Sequence, residues 1–97
     1  MALQQYVYIL ASSRNGTLYT GMTNDLRRRL EQHRGGWSDF TRRYGVKTLV
    51  YFEVHDDRLI ARQRERNIKE WKRAWKLSLI KSVNPDWLDL SGHIPLD

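Results

Sequence analysis

Cysteine is absent from this chain of 97 residues. Without it the chain can form no disulfide, no thiolate nucleophile and no cysteine-based zinc site. Long hydrophobic runs are also missing: the apolar stretch at residues 6–10 is too short for a signal peptide or a membrane span, and no basic segment precedes it. These absences predict a cytoplasmic protein with no membrane partner.

The composition is that of a basic globular protein. Hydrophobic residues make up 40% of the chain and aromatic residues 11%, which is enough to form a core. We expect one domain over residues 1–97, with a core over 4–83 and a tail over 84–97. Lysine and arginine number 17 against 11 acidic residues, for a formal net charge of +6. That charge favours a nucleic-acid partner, but a solvated basic face would have the same composition.

Three segments have the composition of β-strands. Residues 5–10 and 47–54 are rich in β-branched and aromatic side chains. Asn15-Gly16 is a hairpin-turn signal, so residues 18–22 are predicted to return beside the first strand. The glycine-bounded segment at residues 35–45 is predicted to be a loop. Its aromatic residues either pack on the core or stack on an unpaired base, and they are Trp37, Phe40 and Tyr44.

Helical periodicity appears in two places, at residues 26–34 and 58–83. The second segment is longer than most globular helices, so we expect a bend or break between Glu70 and Arg73. Asn84-Pro85 should end it, and the tail beyond should be loosely structured. The order of elements predicts an α+β fold, with a small, mainly antiparallel three-stranded sheet flanked by about three helices.

Polar side chains fall on faces of these elements that should be apolar. Tyr8 and Tyr19 lie on adjacent strands, while Arg29 and His33 share the apolar stripe of the first helix. Glu65 occupies a partly apolar face of the later helix. Phosphodiester hydrolysis needs a base, a cation beside the phosphate and a metal ion, and these residue types could supply them. Glu65 could hold one Mg²⁺, with waters and phosphate oxygens completing its coordination.

Each of these residues also has a structural interpretation. The tyrosines could simply pack in strands, and Arg29 could lie along the surface with its stem on the core. His33 could be a packed histidine. Glu65 could belong to a surface ion pair with Lys69 or a neighbouring arginine on the same helix. Residue types alone therefore leave the question open.

The order of four sequence blocks is more specific. Tyr6-Val7-Tyr8 and Tyr19-Thr20-Gly21 resemble the two signature tripeptides of the GIY-YIG nuclease superfamily. Residues 24–33 resemble the family's first helix with its arginine, and residues 61–69 resemble the helix with its metal-binding glutamate. The closing segment is similar to small stand-alone bacterial members, so the resemblance covers roughly residues 4–90.

The resemblance implies a role for each matching residue. Tyr19 would be the general base, directly or through the water shell of the metal. Tyr8 would position the nucleophile or scissile phosphate, and Arg29 would stabilise the phosphate's charge. His33 matches a position where the family has histidine or tyrosine, and Glu65 would bind a single Mg²⁺ or Mn²⁺. Gly21 would let the backbone turn closely where the strand ends.

Departures from the family pattern concern a few positions. Tyr6 replaces the first glycine, and Thr20 replaces the usual isoleucine. Met22 stands where some members have a lysine near the phosphate. The family's late asparagine has only one nearby candidate, Asn84, whose distance along the chain from Glu65 fits poorly.

Three functions are compared. The favoured one is a metal-dependent endonuclease that acts on DNA in repair, recombination or a structure-directed process. The protein could act alone, as a homodimer or with an accessory protein. The alternative is a nucleic-acid-binding domain that keeps the nuclease scaffold without cutting, and a third is a protein-interaction domain using its tryptophans. The first predicts phosphate contacts, without base reading, from four arginines: Arg27, Arg28, Arg42 and Arg43.

Overall fold

The computed structural model describes residues 4–36 and 38–95. Two strands are followed by two helices, a third strand and two further helices. The elements are β1 (Gln5–Ala11), β2 (Leu18–Thr23), α1 (Leu26–Arg34), α2 (Asp39–Tyr44), β3 (Thr48–His55), α3 (Arg58–Glu70), α4 (Arg73–Val83) and a 3-10 helix (Leu90–His93). This architecture confirms the predicted α+β class.

The sheet has the order β2-β1-β3, and both strand pairs are antiparallel. β1 is central, and all seven of its residues are buried. The predicted hairpin turn is present: the Gly16 amide donates to the Ser13 carbonyl at 2.9 Å, and Asn15 has a φ of 58°. In the hairpin Tyr8 pairs with Gly21, and Leu10 pairs with Tyr19.

Helices cover both faces of the sheet. α3 and α4 pack on what we call the aliphatic face, whose core includes Val7, Ile9, Ala11, Val50, Ala61, Ile68 and Ile80. α1 packs on the opposite face, which we call the tyrosine face and whose core includes Tyr6, Tyr8, Leu10, Leu26, Leu30, Val46, Leu49 and Ile94. Because side chains alternate along a strand, β1 supplies both cores.

The segment before β3 is helical where a loop was predicted. Ser38 caps α2, since its hydroxyl accepts from the Thr41 amide, and Gly45 ends it in the left-handed conformation with a φ of 64°. Six polar and aromatic residues show no clear helical periodicity, so only these caps mark the helix. Trp37 lies outside the described residues. The break predicted between Glu70 and Arg73 is confirmed.

The tail is also more ordered than predicted. The Asn84 side chain donates to the carbonyls of Val50 and Leu88, at 3.0 and 2.9 Å, and accepts from the Leu88 amide at 3.0 Å. Trp87 is buried against the aliphatic face of the sheet, and Ile94 is buried against the tyrosine face. Tertiary contacts therefore fix a segment that has no periodic pattern of its own. No helix in the described ranges is long and apolar enough to cross a membrane.

Candidate active site

Three rings form the centre of the site on the tyrosine face. The ring centroids of Tyr8 and Tyr19 are 6.3 Å apart, a diagonal contact between β1 and β2. The His33 ring, from α1, lies edge-on to both, at 5.9 Å from Tyr8 and 4.9 Å from Tyr19. Tyr8 and His33 are buried, whereas Tyr19 is partly exposed.

A chain of hydrogen bonds orients His33. The Thr41 hydroxyl donates to the Ser38 carbonyl at 3.2 Å, so Thr41 Oγ1 accepts from His33 Nδ1, also at 3.2 Å. His33 Nε2 then has a free lone pair and accepts from the Tyr8 hydroxyl at 2.9 Å. The helix missed in the sequence, α2, thus fixes the tautomer of a predicted site residue.

Burial keeps both members of the central hydrogen bond neutral. Burial is the main cause that lowers the pKa of His33 to about 4, and the charge of Arg29 is the second cause. Burial likewise raises the pKa of Tyr8, with hydrogen bonding to Arg29 acting in the opposite direction. At neutral pH the proton therefore stays on the Tyr8 hydroxyl, and His33 is an uncharged acceptor.

Gly21 makes room for Tyr8. It lies inside β2 opposite Tyr8, so the prediction of a turn at this glycine is wrong. A Cβ at Gly21 would lie 2.5 Å from Tyr8 Oη and 2.6 Å from its Cζ, and 3.0 Å from a ring carbon of Tyr19. The signature glycine is needed because the Tyr8 hydroxyl lies directly over the backbone.

Arg29 faces the two tyrosines from α1. Its pKa is raised, first by hydrogen bonding to Tyr8 and also by contacts with Tyr19, in spite of its partial burial. One guanidinium nitrogen donates to Gln32 Oε1 at 3.0 Å. Arg29 is therefore a fixed cation beside two phenol groups.

Glu65 lies in a groove next to this cluster and not within it. Its groove has a volume of about 460 Å³ and a lining of Gln5, Met22, Thr23, Asn24, Arg58, Arg62, Glu65 and Arg66. A second groove, of about 590 Å³, contains Arg28, Arg29 and Gln32. Met22, Thr23 and Asn24 at the end of β2 line both grooves. The charge of Glu65 contributes to the raised pKa of Tyr8, so the two groups are electrostatically coupled.

The donors at Glu65 suit a single Mg²⁺ or Mn²⁺. Its side chain is 21% exposed, and its ion pair with Lys69 is long, at 3.6 Å. The described residues contain no group of three or more histidine or acidic side chains that could hold a metal ion, so Glu65 would be a single protein ligand. Mg²⁺ is commonly held by one or two carboxylates together with waters and substrate phosphates. The three arginines beside Glu65 oppose a free cation, so these donors fit a metal that binds together with phosphate.

The four arginines predicted to contact phosphates have different surroundings. Arg28 lines the groove of Arg29. Arg27 donates to the Ile94 carbonyl at 2.7 Å, and Arg42 pairs with Asp39 at 2.6 Å. Arg43 lies over the Tyr44 ring, 5.7 Å from its centroid. Three of the four thus have intramolecular partners.

The weaker candidates lie apart from the grooves around Glu65 and Arg29. Tyr6 is buried in the core of the tyrosine face, with its ring centroid 6.3 Å from that of Phe52. Asn84 is occupied by β3 and the tail. Phe40 and Tyr44 are 41% and 47% exposed, so they are not packed into the core. They extend the aromatic cluster outward from Tyr19. The ring centroid of Phe40 is 6.0 Å from that of Tyr19 and 4.9 Å from that of Tyr44.

Sequence reasoning missed two sets of residues at the site. Thr41 orients His33 and lies in the segment that the sequence predicts to be a loop. Arg58, Arg62 and Arg66 line the Glu65 groove. Their spacing of four residues along the predicted helix was the signal that could have found them.

Comparison with known proteins places the chain in a family. The model of the GIY-YIG catalytic domain matches residues 4–78. A UPF0213 protein of Clostridium perfringens is 44% identical over 79% of this chain and 83% of its own length. A UPF0213 protein of Syntrophus aciditrophicus is 40% identical over 86% of this chain and 95% of its own length. The solution NMR structure of a UPF0213 protein from Bacillus halodurans matches with a TM-score of 0.57 and 28% identity, covering 96% of this chain and 99% of that one. With the tyrosine pair, arginine and glutamate described above, these matches show that the chain belongs to the GIY-YIG nuclease family.

Proposed function

We propose that this protein is a divalent-metal-dependent endonuclease that hydrolyses phosphodiester bonds in DNA. The observation that carries the proposal is Arg29, held as a cation against two tyrosines and separated from Glu65 only by the end of β2. A base, a phosphate-binding cation and a metal-binding carboxylate are the groups that such hydrolysis requires.

Burial and hydrogen bonding support different roles for the two tyrosines. Tyr8 is buried, its hydroxyl donates a hydrogen bond to His33, and its pKa is raised, so it is unsuited to accept a proton from water. Tyr19 is partly exposed beside Arg29. Tyr19 therefore takes the proton from the attacking water, and Tyr8 positions Arg29 and His33.

Arg29 also neutralises charge on the scissile phosphate. The negative charge of the transition state is spread over the non-bridging phosphate oxygens, and a guanidinium binds such oxygens in pairs. Its hydrogen bond to Gln32 and its contacts with the tyrosines fix it before substrate binds, so little reorganisation is needed.

Glu65 would hold the metal ion. When bound there, Mg²⁺ or Mn²⁺ would act as a Lewis acid that stabilises charge on the phosphate and the leaving oxygen. The net charge of +6 supports a polyanionic substrate. Branched, nicked or damaged DNA is the substrate class that we propose, in repair or recombination.

The proposal is tested by cleavage of branched, nicked and single-stranded DNA with Mg²⁺ or Mn²⁺. Glu65→Gln keeps the shape of the side chain but loses its charge, and we expect a loss of about 100-fold or more. Glu70→Gln is the matched control, since Glu70 ends the same helix outside the groove. Equal cleavage by wild type and Glu65→Gln would reveal a contaminating nuclease and reject the metal role.

The roles of the tyrosines are tested by removing each hydroxyl. Tyr19→Phe should lower kcat by about 10²- to 10⁴-fold, the usual contribution of general base catalysis. Full activity in Tyr19→Phe would disprove the assignment of the base. Salt-sensitive DNA binding by the wild type without cleavage in any metal would favour the alternative, a binding domain on the nuclease scaffold.

A further inference from the structure

Three exposed arginines run along α3 beside Glu65. Arg58, Arg62 and Arg66 are spaced four residues apart, so they lie on one side of the helix, and all three line the same groove. We call them the arginine stripe. Within residues 4–36 and 38–95, none of the three takes part in an ion pair, a hydrogen bond or a cation–π contact.

The spacing of the arginine stripe works against the stability of α3. Like charges four residues apart repel each other on a helix, and the stripe contains two such pairs. Arg58 is also the first residue of α3, where a positive charge opposes the helix dipole. Glu65 is the only carboxylate among the residues that line the groove. An anion bound along the groove would turn this repulsion into attraction.

The position of the stripe indicates which anion fits. Four residues of helix rise by about 6 Å, so the stripe presents three cations in a row along one groove. The groove meets the groove of Arg29 at a shared wall formed by Met22, Thr23 and Asn24. A chain of successive phosphates could therefore pass over this wall from one groove to the other.

We propose that the arginine stripe binds the phosphates that flank the cut, so that the DNA strand crosses the end of β2 between Arg29 and α3. The inference rests on the proposed nuclease function, because it takes Arg29 as the site of the scissile phosphate. It assigns phosphate binding to residues of α3 instead of the exposed arginines of α2. The contacts are to the backbone and carry no base specificity.

The test is binding of fluorescein-labelled single-stranded DNA in EDTA, followed by anisotropy across a range of KCl concentrations. The stripe variant carries Arg58→Gln, Arg62→Gln and Arg66→Gln. A control with the same charge loss carries Arg14→Gln, Lys47→Gln and Lys81→Gln, three exposed positions outside both grooves. Each lost phosphate contact lowers the slope of log K against log salt by about 0.7, so the stripe variant should lose about 2 in slope and about 100-fold in affinity at 0.1 M salt.

Two further measurements separate binding from a structural role. The stripe variant should unfold at the same temperature as the wild type or higher, since repulsion along α3 is removed. Lysine at all three positions should restore most of the salt slope, because the charges remain. Equal slopes in the stripe and control variants, or a stripe variant with a lower melting temperature and an unchanged slope, would overturn the inference.

Cleavage distinguishes this inference from the function on which it rests. If the wild type cleaves DNA, the stripe variant should have a higher KM and a nearly unchanged kcat. The reason is that the flanking contacts stabilise the bound substrate and the transition state equally. Cleavage with an unchanged salt slope and KM in the stripe variant rejects the stripe alone. Stripe-dependent binding without any cleavage rejects the nuclease proposal alone.

Discussion

The two faces of the sheet are stabilised in different ways. On the aliphatic face α3 and α4 bury valine, isoleucine and alanine, whose packing requires only matching shape. On the tyrosine face α1 and α2 enclose a directed chain of hydrogen bonds from Tyr8 through His33 and Thr41 to Ser38. Every polar atom in that chain needs a particular partner, because an unpaired buried polar group is costly.

This difference separates an apolar core from a hydrogen-bonded cluster within one small domain, with Glu65 on the outer side of the helix that covers the apolar core. The aliphatic face holds β1 in place, and its charged residues are only half-buried: Glu53 accepts from Arg64 at 3.0 Å and bonds to His55 at 2.5 Å. The tyrosine face uses the other side of β1 to hold a neutral histidine under the candidate base. Substitutions on the two faces should therefore have different effects on stability and activity.

Truncation on the aliphatic face should have the largest effect on stability. Ile68 is fully buried in α3, and Ile68→Ala should lower the free energy of unfolding by about 2–5 kcal/mol. Activity per folded molecule should change less than stability, because Ile68 belongs to the core of the aliphatic face and not to the core that contains Tyr8. Urea denaturation and cleavage measured on the folded fraction would check both. A fall in kcat as large as that of Tyr19→Phe would contradict the separation of the two faces.

Acid should destabilise the tyrosine face through His33. Its pKa is lowered to about 4 in the folded protein, against about 6.5 when unfolded. This contribution is fully present above pH 6.5, and it is lost as pH falls toward 4, where only the unfolded chain takes up the proton. The loss should reach about 3 kcal/mol. Comparing urea denaturation of wild type and His33→Gln between pH 7 and 4 should isolate it.

The matched control for that comparison is His93→Gln, at an exposed position in the 3-10 helix. It should keep the pH dependence of the wild type. If His33→Gln loses stability with acid as steeply as the wild type, His33 is not a neutral, buried acceptor.

Filling the space at Gly21 should affect both stability and activity. A Cβ 2.5 Å from Tyr8 Oη cannot be accommodated without moving β2 or the ring. Gly21→Ala should therefore cost about 1–3 kcal/mol and lower kcat together. Gly92→Ala is a control in open space. Unchanged cleavage and stability in Gly21→Ala would show that the close approach to Tyr8 is not required.

Loss of the Thr41 hydroxyl should have the smallest effect on stability. Thr41→Val keeps the shape but leaves His33 Nδ1–H without an acceptor, which should cost about 1–2 kcal/mol. Thr41→Ser, which keeps the hydroxyl, should restore most of the loss. Chemical denaturation of both variants would check this, and equal destabilisation by valine and serine would point to packing instead of the hydrogen bond.

Local patterns in the sequence were sufficient for much of the fold. The β-branched and aromatic composition of β1 and β3, the Asn15-Gly16 turn and the spacing of Leu26 and Leu30 each reflect short-range preferences. The order of the four family blocks predicted the family that the comparison shows. α2 and the ordered tail were not predicted, since their order comes from Ser38 capping and from Asn84 bonding to β3.

The sequence by itself determined the residue types of the candidate site: two tyrosines, Arg29, His33 and Glu65, each on a predicted element. Only the tertiary structure decided the distances between these residues and how deeply each one is buried. It placed Glu65 in a groove beside the tyrosine cluster and buried the Tyr8 hydroxyl against His33. It also placed the three arginines of the stripe along the groove of Glu65. The physical reason is that burial and mutual distance depend on how α1, α2 and α3 pack on the sheet. Charge state and accessibility follow from that packing and not from the sequence near each residue.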